Sequence, residues 1–244
     1  TLSFYESPQL QKISAEIFVK DEYNDKNIQN HKFNNLAKQK IRIAYYSADF
    51  RNHPMSYLLA NLYELHDKNK FEVIGISFGP DKDDEMRKRV SSAFDEFYDV
   101  RLKTEEEIVK FSRELKIDIA IDLMCFTKYH RFGIFVQRCA PIQVNYLGYP
   151  GTSGTNYLDY IIADKVLIPK DNQKYYSEKI VYLPDTYQAN DSTKKISDKI
   201  FTREELGLPK DGFVFCCFNN NYKITPQVFD IWMRLLQRVE NSVL

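Results

Sequence analysis

Residues 41–54 read IRIAYYSADFRNHP, and the fold is decided there. Five of the first six residues are β-branched, aromatic or small and apolar, with only Arg42 interrupting, as in a strand buried on both faces. The polar turn SADFRNHP ends it, and MSYLLANLYELH follows with Leu58, Leu59, Leu62 and Leu65 at helical spacing. The same unit repeats outward. FEVIGISF (71–78) is a second apolar strand closed by Gly79-Pro80, DDEMRKRVSSAFDEF is helical, and FYDV is a short strand. TEEEIVKFSREL opens on Thr104 with Glu107 three residues on, a capping box. IDIAIDLM, a helical stretch over 131–138, PIQVNYLGY, DYIIADKVLIP and EKIVYLP complete the series. Strand–helix alternation with near-continuous apolar strands predicts an α/β fold, a Rossmann-like parallel sheet covered on both faces, over residues 41–200.

Both flanks differ from this block. In residues 8–23, Leu10, Ile13, Ile17 and Phe18 fall at helical spacing, with Ser14 as a cap candidate, and the polar stretch to residue 40 reads as a linker. Residues 1–40 are thus expected to be a helical segment and linker. Residues 201–244 are expected to open a second lobe: TREELGLPKDG as a helix and connection, FVFCCFNNNYKI as a strand, and TPQVFDIWMRLLQRV as a helix capped by Thr225 with Pro226 at its first position. The chain starts without Met and stops at NSVL, which reads as a fragment.

With 43% hydrophobic and 28% charged residues and a formal net charge of zero, the composition is that of a globular domain with no bulk attraction for nucleic acid. Cys125, Cys139, Cys216 and Cys217 match neither zinc spacing nor a disulfide framework, and read as buried reduced thiols. With no apolar signal core and no membrane-length apolar run, the chain reads as cytoplasmic, and the sequon at Asn190 is set aside.

Ligands of open α/β sheets bind beyond the carboxyl ends of the strands, where four polar segments fall. Ser47–Pro54 offers Asp49, Asn52 and His53, suited either to taking a proton from a hydroxyl or to capping the next helix. Phe126–Arg131 gathers Lys128, His130 and Arg131, suited to a phosphate or sugar, or simply a solvated loop. Leu147–Gly154 is rich in glycine and hydroxyls and matches neither the Walker pattern nor GxGxxG. Phe218–Lys223 puts Lys223 just before a capped helix, a diphosphate site or a surface lysine. Asp81-Lys82-Asp83 spells a metal-type DxD but lies in a charge run and reads as solvated, while His31 and His66 read as structural.

In this order the segments resemble the O-GlcNAc transferase family and its bacterial and SPINDLY relatives. IRIAYYSADFRNHPMSYLL is similar to the family's first catalytic strand and DFxNHP loop, and CFTKYHR to its GYTKGAR-type loop. APIQVNYLGYPGTSGTNYLDYIIAD resembles its LGYPGTSG block, YSEKIVYLP its YSEK segment, and FCCFNNNYKI with the following helix the opening of its second lobe. SPQLQKISAEIFVK resembles the helical stretch ahead of the lobes in bacterial members. The resemblance implies a two-lobe GT-B glycosyltransferase, inverting and metal-independent, with no cofactor beyond a donor such as UDP-GlcNAc. It further implies a protein acceptor and preceding tetratricopeptide repeats. Carried over residue by residue, it assigns catalysis to His53, Asp49 and Lys223. It assigns sugar and nucleotide contacts to Asn52, Lys128, Leu147, Gly148, Asn220 and Tyr222. Met55, Asn220, Phe126 and Tyr129 depart from the animal pattern, which leaves glucose and fucose open as donor sugars, and an inactive scaffold module is the alternative. The family's HTTG-type nucleotide segment is not found in residues 1–244, so the chain alone is expected to be a weak or dead catalyst.

Overall fold

The computed structural model describes residues 7–23, 33 and 39–244; most of the expected linker, His31 included, lies outside them. Pro8–Thr193 form one compact unit, and Lys194–Leu244 belong to a second.

The larger unit is built on seven strands: β1 (Ile41–Ser47), β2 (Phe71–Ser77), β3 (Glu96–Asp99), β4 (Ile119–Asp122), β5 (Ile142–Tyr146), β6 (Tyr160–Ala163) and β7 (Lys179–Tyr182). Their order is β3-β2-β1-β4-β5-β6-β7, and every pairing is parallel, with Ile43 beside both Val73 and Ile119. Helices α1 (Pro8–Tyr23), α2 (Pro54–Glu64), α3 (Glu85–Ala93), α4 (Glu105–Glu114) and α5 (Gly133–Val136) accompany the sheet. Ile43 and Tyr45 face α2 and α3 through Leu59, Tyr63 and Val90, whereas Ala44 and Tyr46 face the other way, toward Ile108, Val109 and Phe135. Both faces are buried, which explains the absence of polar alternation in β1. The capping box forms, with Glu107 N–H donating to Thr104 Oγ1 at 3.2 Å and Thr104 N–H to Glu107 Oε2 at 2.7 Å. Beyond β7 the chain returns to the helices, where Asp191 meets Arg89 at 2.6 Å and Ser192 donates to Asn61 at 2.8 Å.

Several expectations need correcting. Helix α1 exists, but Ala15, Val19 and Tyr23 are its buried residues; Leu10, Ile13, Ile17 and Phe18 are exposed, and Ser14 lies inside the helix. Small Ala15 permits the close approach: a Cβ at Gly154 would lie 2.8 Å from Glu16 N and 3.0 Å from the Ala15 side chain. Leu65 is exposed because α2 ends before it, and Tyr63 is buried instead. The helix expected over 131–138 is the single turn α5.

In the smaller unit TREELGLPKDG makes turns, with Gly207 at φ +65° one turn after Thr202 and Pro209 close behind, too short a run to propagate. FVFCC forms no strand; it makes one parallel bridge, Val214 to Val243, because within residues 194–244 only the segment around Val243 pairs with it. Cys216 is accordingly exposed and Cys217 half-buried, and only Cys125 and Cys139 are buried thiols; all four are free. Helix α6 (Pro226–Arg238) forms with Thr225 accepting from Val228 N–H at 3.4 Å.

Candidate functional site at the sheet switch point

Strands β1 and β4 are neighbours, yet the chain leaves them in opposite directions, β1 toward β2 and β4 toward β5. A crevice opens at such a switch point beyond the strands' carboxyl ends. It holds a cavity of about 250 Å³ lined by Asp49, Arg51 and His53 after β1, Lys128 and Tyr129 after β4, and Gly148 after β5. Three of the four polar segments picked out in the sequence therefore meet in one place.

Asp49 is fixed by its own backbone: its N–H donates to Ser47 Oγ at 2.9 Å and its carbonyl accepts from Ser56 Oγ at 2.6 Å. Its carboxylate lies between two basic groups, with Oδ1 accepting from Arg51 Nη2 at 2.9 Å and Oδ2 3.5 Å from His53 Nδ1. His53 also caps α2, Nδ1 accepting from Met55 N–H at 3.3 Å. Capping and chemistry, weighed as alternatives from the sequence, thus share one nitrogen. With its proton on Nε2 the ring caps the helix; with the proton on Nδ1 it points at Asp49 and frees Nε2 as a base. Burial pushes the His53 pKa below its ordinary value, Asp49 opposes the shift and Arg51 adds to it. A neutral ring able to accept a proton is what general-base chemistry needs.

Lys128 is exposed at the mouth, its Nζ 4.9 Å from the Tyr129 ring centroid. Leu147 is buried beneath the lip in the left-handed region at φ +65°. Gly148 presses so closely on the strand beside it that any Cβ would overlap the Leu123 carbonyl. Asn52 does not line the cavity: its side chain is exposed while its N–H donates to Asp84 at 2.8 Å. Asn220, Tyr222 and Lys223 lie in the other unit, all exposed, in and beside a 3-10 turn at Asn221–Lys223.

Arg51, Met55, Leu123, Thr127 and Tyr129 also line the cavity and were not singled out as site residues. Arg51 was legible, standing between Asp49 and His53 at a strand end; Leu123 was not, since an apolar residue closing a strand reads as core. His130 packs between Phe18 and Phe126, with ring centroids at 6.1 and 6.2 Å. Arg131 donates to Lys103 O at 2.7 Å. His66 is satisfied by Tyr45 OH at 2.9 Å, and in the DxD loop Asp81 pairs with Arg101 at 2.8 Å and Asp83 with Lys88 at 3.4 Å. Among the described residues no His, Cys, Asp and Glu side chains gather as a metal site, and no helix is long and apolar enough to cross a membrane.

A doubly wound parallel sheet with carboxylate, imidazole and amine around the crevice at its switch point is a Rossmann-like enzyme lobe. The family model of glycosyl transferase family 41 matches residues 10–199 and 192–244, and the chain belongs to that family. It is 38% identical over 211 residues to the probable UDP-N-acetylglucosamine–peptide N-acetylglucosaminyltransferase SEC of Arabidopsis thaliana, covering 84% of this chain and 22% of that protein. It is 32% identical over 196 residues to the UDP-N-acetylglucosamine–peptide N-acetylglucosaminyltransferase of Caenorhabditis elegans, covering 77% of this chain and 16% of the relative. The solved structure of an O-GlcNAc transferase mutant from Thermobaculum terrenum superposes with a TM-score of 0.80 at 27% identity, covering 99% of this chain and 45% of the other. The chain thus spans about a fifth of the length of these curated relatives.

Proposed function

We propose that this chain is the first lobe, with the opening of the nucleotide-binding lobe, of an enzyme that transfers a sugar from a UDP-sugar to Ser or Thr hydroxyls of proteins. N-acetylglucosamine is the donor sugar proposed. The observation that carries the reading is the convergence of Asp49, His53, Lys128 and Gly148 on one cavity at the switch point of a family 41 chain. The acceptor oxygen bonds to the anomeric carbon from the face opposite the diphosphate, inverting that centre as the carbon–oxygen bond to UDP breaks. The hydroxyl proton passes to His53 Nε2, with Nδ1–H turned to Asp49, whose carboxylate steadies the imidazolium. The electron pair leaves on the diphosphate, where Lys223 meets the growing charge, the kind of contact that strengthens as the bond breaks. No metal or cofactor takes part. Tetratricopeptide repeats ahead of the lobes, and a cytoplasmic setting, belong to the same reading.

The test is radiolabelled sugar transfer by the full-length protein. Transfer from UDP-N-acetylglucosamine is expected, and Lys223→Ala should lower kcat by about a hundredfold or more with the fold intact. Near-normal turnover in that variant would remove Lys223 from the site. No transfer from any UDP- or GDP-sugar would favour an inactive scaffold module.

A further inference from the structure

The loop over residues 147–154 brings Gly148 to the lip of the cavity, has no regular secondary structure and carries three glycines. Such backbone has much freedom to lose and holds one shape only if something fixes it. On its inner side Asn145 Nδ2 donates to the Tyr149 carbonyl at 3.0 Å and the Gly151 carbonyl at 3.2 Å. On its outer side stands Glu178, the residue before β7. Glu178 Oε1 accepts from Ser153 N–H at 2.6 Å and from the Ser153 hydroxyl; Oε2 accepts from Thr152 Oγ1 at 2.7 Å. Thr152 Oγ1 in turn accepts from Gly154 N–H and Ser177 N–H, each at 3.1 Å. Thr152, Ser153 and Glu178 are 2%, 0% and 4% exposed, so the carboxylate has exchanged water for these three donors.

The fixed shape reaches the cavity by two routes. Along the chain, the held segment begins at Leu147 and Gly148. Through space, the Tyr149 ring lies 5.7 Å from Phe126, two residues before Lys128, and Phe126 lies 5.1 Å from Phe18 of α1. We infer that Glu178 is a positioning residue: by clamping Thr152 and Ser153 it sets the lip of the cavity that receives the sugar of the donor, an inference that rests on the transferase reading above.

The test has one arm that needs no activity. In this chain, amide exchange at Ser153 and Gly154 should quicken about tenfold or more in Glu178→Ala, while amides of β4 and β5 keep their protection. In the full-length protein the same variant should raise KM for the donor about tenfold and leave kcat within about threefold, because binding geometry rather than bond breaking is disturbed. Glu178→Gln should recover only part of the loss: its amide oxygen still accepts from Ser153, but its NH2 meets Thr152 Oγ1, whose two lone pairs already accept from Gly154 and Ser177 N–H. If Glu178→Ala does not fold, Ser153→Ala and Glu178→Gln carry the test, and an intermediate rise in KM is expected of both. A fall in melting temperature and active fraction with KM and Ser153 exchange unchanged would make Glu178 merely structural and overturn the inference. A wild-type protein that transfers nothing would instead overturn the transferase reading, while the exchange arm still reports the clamp.

Discussion

Asp122 ends β4 with one carboxylate oxygen accepting from Met124 N–H at 2.9 Å and the other without a hydrogen-bond partner among the described residues. Complete burial raises its pKa to about 7, against the pull of the Met124 and Cys125 amides. The folded chain therefore keeps a proton that the unfolded chain releases above the ordinary value of 3.8. Stability falls as pH rises between those values, by on the order of a few kcal/mol in all. Asp122→Asn, which mimics the protonated acid, should remove this part of the pH dependence. Its melting temperature should exceed wild type at pH 8 by more than at pH 5, and equal offsets at the two values would disprove it. At this scale the sequence was informative where chemistry and position coincided: Asp49, His53 and Lys128 are polar residues at strand ends, and strand ends meet. It was silent on Glu178, which reads as a charge before a strand and lies 25 residues from its partner Ser153. Asn52 stands beside His53 in sequence, but adjacency does not decide which side of the turn a side chain takes, and the Asn52 side chain is exposed outside the cavity.

At the scale of elements, local signals fared best. The Thr104 box needs only residues three positions apart and is present as expected. Thr104→Ala should cost about 1 kcal/mol, read as a lowered urea midpoint with unchanged slope; no change in midpoint would mean that solvent caps α4 equally well. The face of α1 was illegible for the opposite reason. Leu10, Ile13 and Ile17 outweigh Ala15 on any hydropathy scale, but burial of α1 turns on how closely it approaches Gly154, and small residues decide that. The strand expected at FVFCC has the right residue types, and residue types make a strand only where partners flank it.

Taken whole, the two units differ in what holds them. The sheet unit has a core on both faces, whereas no residue between 194 and 244 is buried. Asn220, Tyr222 and Lys223 are exposed on a unit with no core to hold them in place. Calorimetry of this chain with UDP should accordingly show binding no tighter than roughly millimolar, about 4 kcal/mol. Micromolar affinity would show that residues 1–244 already contain a formed nucleotide site. The order of the sheet was legible as a class, parallel and doubly wound, because continuous apolar strands alternating with helices admit few other arrangements. That β1 lies inside the sheet, between β2 and β4, was not, since no local signal says which strands it pairs with. Its interior place has a consequence for synthesis. Ile43 pairs with Ile119, so one edge of β1 has no neighbour until β4 leaves the ribosome. At translation rates of 5–20 residues per second that wait is roughly 4–15 s. Throughout it the nascent β1, joined first by β2 and then by β3, carries an apolar edge open to other nascent chains, and chaperones have most to do in that interval.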